Sequence, residues 1–219
     1  MTQPVILTTA DAVELLADRC LTLQFLTTAL QAEPAEPFIG PLLRDLGAGP
    51  LDGAPASRGE ALLREFALQA QGRPLDEVTA ELRAEYVAMF FASWRRVLAP
   101  YESVYRSEAH ALWQEPSQAV AALYAVEGLA PQAGFTEPPD HIALELAYLA
   151  YLCRQSHDAA SAGDAQAALG WLAKQDAFLA GHLLPWAPRF CCDLEAMTRS
   201  AFYKGVAALA LDFLEADTA

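Results

Sequence analysis

The stretch Glu137-Pro138-Pro139-Asp140-His141-Ile142-Ala143-Leu144-Glu145-Leu146 decides how the rest of this sequence is read. Two prolines stop whatever precedes them and preset the backbone for a helix start. Asp140 is then expected in the first helical turn, where the dipole and unpaired N–H groups favour a carboxylate. The helix that follows is expected to run to about Gln155 and is apolar almost all the way round. Ile142, Leu146 and Cys153 cover one side, Leu144, Tyr148 and Leu152 another, with Ala143, Ala147 and Ala150 between. A helix without a polar face belongs in the middle of a protein. His141 and Glu145 are the exceptions, one turn apart on one face. Buried polar groups need partners, so Asp140, His141 and Glu145 form either a satisfied structural cluster or a binding site.

Outward from this centre, helical periodicity dominates and no strand pattern or hairpin turn is visible. Helices are expected over Ala10–Ala32, Glu60–Gln71, Glu77–Ala92 with Asp76 as its cap, and Ser117–Glu127 ending at Gly128. Beyond the centre, His157–Asp164 reads as a polar turn. A helix follows over Ala165–Leu183, broken by Leu184–Pro188, and a last one over Leu194–Leu214 capped by Asp193. Two longer loops are expected, Pro41–Ser57 and Ala92–Tyr105. The second mixes aromatics and charges without period, as loops that carry function do. The expected architecture is an all-α, single-domain bundle of seven or eight helices spanning residues 1–219.

The 219 residues suffice for one good-sized core, and 54% hydrophobic content argues against disorder. The formal net charge is −14, from 28 acidic and 14 basic residues. That excludes the basic surface nucleic acid requires and suits a cationic partner. No apolar run is long enough to cross a bilayer, and the N-terminus lacks a basic leader, so a cytoplasmic protein without stable membrane insertion is expected. Four cysteines, Cys20, Cys153, Cys191 and Cys192, lack CxxC spacing and read as reduced, mostly core-filling residues. Only the vicinal Cys191-Cys192 pair invites a redox reading.

Phosphate-cradling loops, a GxSxG nucleophile elbow and an HExxH pair are all missing. His141 and Glu145 have the i, i+4 spacing of a metal pair that Glu137 or His182 could complete, but no second pair at helical spacing joins them. Each candidate also has a structural reading: His141 as a core histidine, Tyr86, Met89 and Phe90 as core, Arg95-Arg96 as a solvated pair. His182 and Trp186 read most simply as stitching a helix end to the loop behind it.

The run from Glu137 to Leu146 resembles the signature of the TorD/DmsD family, chaperones that mature molybdenum-cofactor redox enzymes. Three further stretches match in order: Leu82-Arg83-Ala84-Glu85-Tyr86-Val87-Ala88-Met89-Phe90, Pro100-Tyr101-Glu102-Ser103-Val104-Tyr105, and Phe178-Leu179-Ala180-Gly181-His182-Leu183-Leu184-Pro185-Trp186. Together they span roughly Glu77–Phe190. Phe91-Ala92-Ser93-Trp94-Arg95-Arg96 departs from the pattern, since relatives commonly have Gly or Pro soon after the Phe.

The resemblance implies a binding protein rather than an enzyme, with no cofactor or metal of its own, acting as a monomer or domain-swapped dimer. Its partner would be the catalytic subunit of a molybdopterin oxidoreductase, held by an N-terminal twin-arginine signal peptide until the cofactor is inserted. A non-exported client such as a respiratory nitrate reductase is the alternative, and a metal or small-molecule enzyme centred on His141 and Glu145 a more distant one. Asp140, Glu102 and Glu145 would pair with the arginines. Tyr86, Met89, Phe90, Pro100, Tyr101 and Ser103 would line the apolar groove, and His141 would join Asp140 at its mouth. A charged His141 would then oppose a nearby arginine and tune release.

Overall fold

The computed structural model describes residues 9–48, 55, 57–91, 98–130 and 136–216. Among them the chain forms ten α-helices and a π turn, more helices than the periodicity alone separates, and no strand longer than a single bridge. The long first helix α1 (Thr9–Gln31) lies along the central helix α7 (Ile142–Ser161), their most extensive neighbour being each other. They run antiparallel: Gln31 and His141 line one cleft, while the Leu16 carbonyl near the other end accepts from Cys153 Sγ. Leu23, Leu26, Leu149, Leu152 and Cys153 are fully buried between them and their neighbours. The apolar girdle of α7 is therefore core, as its composition demands.

The chain leaves α1 at Pro34 and enters α2 (Glu36–Ala48). The sequence reading placed a loop from Pro41; the structure corrects this. Pro41 sits inside α2 and cannot donate to the Pro37 carbonyl one turn back. Burial overrides that loss: Ile39 is fully buried, and Phe38 packs against Phe25 and Phe202 at ring separations of 5.8 and 6.3 Å. Residues 49–54 and 56 of the expected Pro41–Ser57 loop lie outside the described residues.

Helix α3 (Arg58–Ala70) is capped by Ser57, whose hydroxyl accepts from the Glu60 N–H at 3.2 Å. It packs on the last helix, α10 (Ala201–Ala216), through glycines. A Cβ at Gly59 would fall 2.5 Å from the Leu209 backbone, and one at Gly205 would meet Leu63 at 2.8 Å. Helix α4 (Leu75–Phe90) starts after Pro74, so Asp76 stands in its first turn rather than capping it. The short α5 (Glu102–Arg106) occupies the end of the expected Ala92–Tyr105 loop, whose residues 92–97 lie outside the described residues. Helix α6 (Glu115–Val126) closes on Gly128 at φ +69°, with its N–H bonded to the Ala125 carbonyl.

Central helix α7 starts two residues after Asp140 and runs past the expected end, so the polar turn shrinks to Ala162–Gly163 before Asp164 caps α8 (Ala165–Phe178). A π turn, Leu179–Leu183, then leads to α9 (Ala187–Met197). Asp193 falls inside α9, not at a cap. The single last helix expected over Leu194–Leu214 is two, split at Thr198–Ser200. The Glu85 carboxylate of α4 accepts there from the Thr198 hydroxyl and the Arg199 and Ser200 N–H groups at 2.7–3.1 Å. No helix of the described residues is long and apolar enough to cross a membrane.

Candidate binding cleft

Three of the sequence motifs converge on one place. Tyr101 and His141 form an antiparallel bridge: the Glu102 N–H donates to the Asp140 carbonyl at 3.0 Å, and the Ile142 N–H to the Pro100 carbonyl at 2.8 Å. The Asp140 carboxylate accepts from the Ser103 N–H at 2.7 Å, so it caps α5 from across the chain. This corrects the expectation that Asp140 opens α7. That place belongs to His141, whose Nδ1 accepts from the Ala143 N–H at 3.1 Å.

The third motif closes the cluster from the other side. Glu102 is fully buried, bound by Arg106 one turn on and by His182 Nδ1 at 3.0 Å. Arg106 also donates to the Gly181 carbonyl at 2.7 Å. That carbonyl is free for a stated reason: in an α-helix it would receive the N–H of residue 185, and Pro185 has none. The helix widens into the π turn, with the Leu184 N–H reaching back to Leu179 at 2.9 Å. Trp186 is then buried, donating from its indole to the Glu145 carboxylate at 3.1 Å. Burial foremost, then the nearby Glu102 charge, raises the Glu145 carboxyl well above the usual range and favours its neutral form.

In front of this cluster opens a cleft of about 320 Å³. Tyr86, Phe90 and Phe91 at the end of α4 form one wall; Leu98 to Tyr101 form another, and Val104, Leu112, Glu137 and His141 also face the cleft. Tyr86 donates to the Leu30 carbonyl at 3.3 Å and packs on Phe90 with ring centroids 4.6 Å apart. The Tyr101 hydroxyl donates to Glu137, and the Tyr101 ring meets His141 edge-on at 5.3 Å. Burial pushes His141 down to about 4, against the pull of Glu137 and Asp140, so the ring is neutral near pH 7. A charge on His141, which the expected tuning of release would need, is thus disfavoured near pH 7.

The named candidates divide into two groups. Tyr86, Phe90, Pro100, Tyr101 and His141 line the cleft. Asp140, Glu102, Ser103 and Glu145 are fully buried behind it, and Met89 is sealed in the core. His141 and Glu145, one turn apart in sequence, serve different partners, the Ala143 backbone and the Trp186 indole. No group of three or more His, Cys, Asp or Glu side chains suited to a metal occurs among the described residues.

The sequence matches the model of the nitrate reductase delta subunit family over residues 52–192. The chain belongs to this TorD-like family. It is 32% identical over 137 residues to chaperone protein TorD of Vibrio cholerae serotype O1, covering 63% of this chain and 60% of that protein. The TorD chaperone of Aliivibrio fischeri is 31% identical over 147 residues, 67% and 66% of the two chains. The match thus spans less than two thirds of the length of these relatives. In fold, the chain is similar to a crystal structure from Archaeoglobus fulgidus described as a redox enzyme maturation protein. That superposition has a TM-score of 0.55 at 20% identity, covering 90% of this chain and 93% of the other.

In this TorD-like chain the cleft also uses residues the sequence reading passed over. Glu137 was weighed only as a metal ligand, yet it is the half-buried carboxylate on the lining. Leu98 and Leu112 were not singled out. Exposed apolar side chains gather at the edge: Phe91 is 63% exposed, and Trp113, next to Leu112, is 60% exposed. Trp113 and His110 hold left-handed backbone, at φ 61° and 47°, which costs a non-glycine residue about 1–2 kcal/mol. An aromatic in a stretch without period, Leu112-Trp113, was the available signal.

Proposed function

We propose that this protein is a cytoplasmic maturation chaperone that holds the twin-arginine signal peptide and apo form of a molybdopterin oxidoreductase catalytic subunit. The observation that carries the reading is the cleft itself, aromatic on its α4 wall and bearing the Glu137 carboxylate on its lining. An apolar leader segment would lie against Tyr86, Phe90 and Phe91 as in other groove recognition. Its arginine guanidinium groups would bind Glu137, in charge-assisted hydrogen bonds that the net charge of −14 favours on approach. The buried acids Asp140, Glu102 and Glu145 act behind the wall, by fixing its shape. The TorD relatives are named chaperones, which supports a binding task over catalysis.

Calorimetric titration with a synthetic twin-arginine leader, at two salt concentrations, tests this. Phe90→Ala should weaken binding about tenfold. Glu137→Gln should weaken it less and flatten its salt dependence. Unchanged affinity in both variants would overturn the assignment of the cleft. The family model's own description, nitrate reductase delta subunit, favours a second reading with a non-exported client. Affinity capture of the client, with and without its N-terminal peptide, separates the two.

A further inference from the structure

Cys20 of α1 and Cys153 of α7 stand 133 residues apart in sequence, yet the Cys20 thiol donates to the Cys153 sulfur at 3.0 Å. Neither is engaged in a disulfide. A disulfide needs an S–S separation of about 2.05 Å, so about 1 Å of approach separates the pair from a bond. Cys20 is partly exposed and Cys153 fully buried, which gives one sulfur a solvent route and hides the other behind it. The vicinal pair offers no comparable arrangement: burial raises the Cys191 thiol to about 12, and Cys192 is exposed.

We propose that Cys20 and Cys153 form a reversible dithiol–disulfide modification site that ties α1 to α7. The oxidant is a peroxide. The Cys20 thiolate attacks one oxygen of hydrogen peroxide, the O–O bond breaks, and hydroxide leaves with a sulfenic acid on Cys20. The Cys153 sulfur then attacks the Cys20 sulfur; the S–O bond breaks and water leaves. The two thiols lose two electrons and two protons, and the peroxide becomes two waters. A dithiol reductant reverses the step by exchange. The bond would lie eleven residues before Gln31 and twelve after His141 along their helices, roughly 17 Å from the cleft. It would therefore lock the packing of the two helices whose ends meet there without touching the cleft.

The test is mild hydrogen peroxide treatment of the reduced full-length protein, followed by intact mass and a non-reducing digest. The expected result is a loss of about 2 Da and a peptide pair joining Cys20 to Cys153, both reversed by dithiothreitol. The cross-link should vanish in Cys20→Ser and in Cys153→Ala and persist in Cys192→Ser, with circular dichroism confirming that each variant is folded. Over-oxidation of Cys20 to sulfinic acid without a cross-link, or a cross-link confined to Cys192, would overturn the proposal.

Discussion

The Asp140 carboxylate caps the Ser103 N–H from 37 residues away, at 2.7 Å and fully buried. A residue that reads in sequence as a ligand for arginine thus serves a backbone N–H behind the cleft. Asp140→Ala should cost about 2 kcal/mol by leaving that N–H unserved, and Asp140→Asn about half as much. Leader affinity should fall in parallel with stability, whereas Glu137→Gln should lower affinity with the melting temperature unchanged. Thermal melts beside titration would separate the two roles.

The two buried glutamates should respond oppositely to amide substitution. Glu102 is paired with Arg106 and His182, so Glu102→Gln removes the buried charge both partners face and should cost about 1–2 kcal/mol, Arg106 keeping the Gly181 carbonyl and solvent. Burial favours the neutral form of Glu145, and Glu145→Gln supplies a neutral group that can still accept from Trp186. Freed of the need to bind a proton on folding, the variant should be as stable as the parent or more so in urea unfolding at pH 7.

Acid should weaken the fold through His141. Its folded value, about 4, lies below the ordinary 6.5, so the unfolded chain binds the proton first. Stability is complete above about 6.5 and declines as pH falls toward 4, by up to roughly 3 kcal/mol. Glu145 opposes this, because its raised value makes the native state bind more protons above 4.5. His141→Gln should flatten the fall, and Glu145→Gln should steepen it, in denaturant melts between pH 4 and 7.

Gly59→Ala should destabilise sharply, since a methyl would sit 2.5 Å from the Leu209 backbone, which cannot swing aside as a side chain would. A cost of about 2–3 kcal/mol is expected. Gly170→Ala, in α8 with nothing within 4 Å, should be neutral or stabilising. Paired melting curves check both.

The legible parts of this fold are those written locally. The buried girdle of α7, the glycine after α6 and the aromatic end of α4 each follow from spacing within one segment. What escaped was written at a distance. Pro41 reads as a breaker, and it is packing on other helices, Phe25 and Phe202 among it, that holds α2 together around it. The split between α9 and α10 carries no Gly or Pro; its stop is Glu85, 113 residues away. The site divides the same way. Periodicity marks which residues are buried, but whether a carboxylate faces a cleft or a backbone N–H depends on the bridge between Tyr101 and His141. The thiol pair of Cys20 and Cys153 has no sequence signal, because nothing in either helix announces the other.

Pro185 leaves the Gly181 carbonyl to Arg106, and Arg106 in turn anchors Glu102. A defect in one helix is thereby a docking point for another. Straightening α8 by Pro185→Ala would let the helix reclaim its own acceptor and compete with the guanidinium for it. The two positions are coupled through one carbonyl, so relatives lacking the proline are expected to lack the arginine as well.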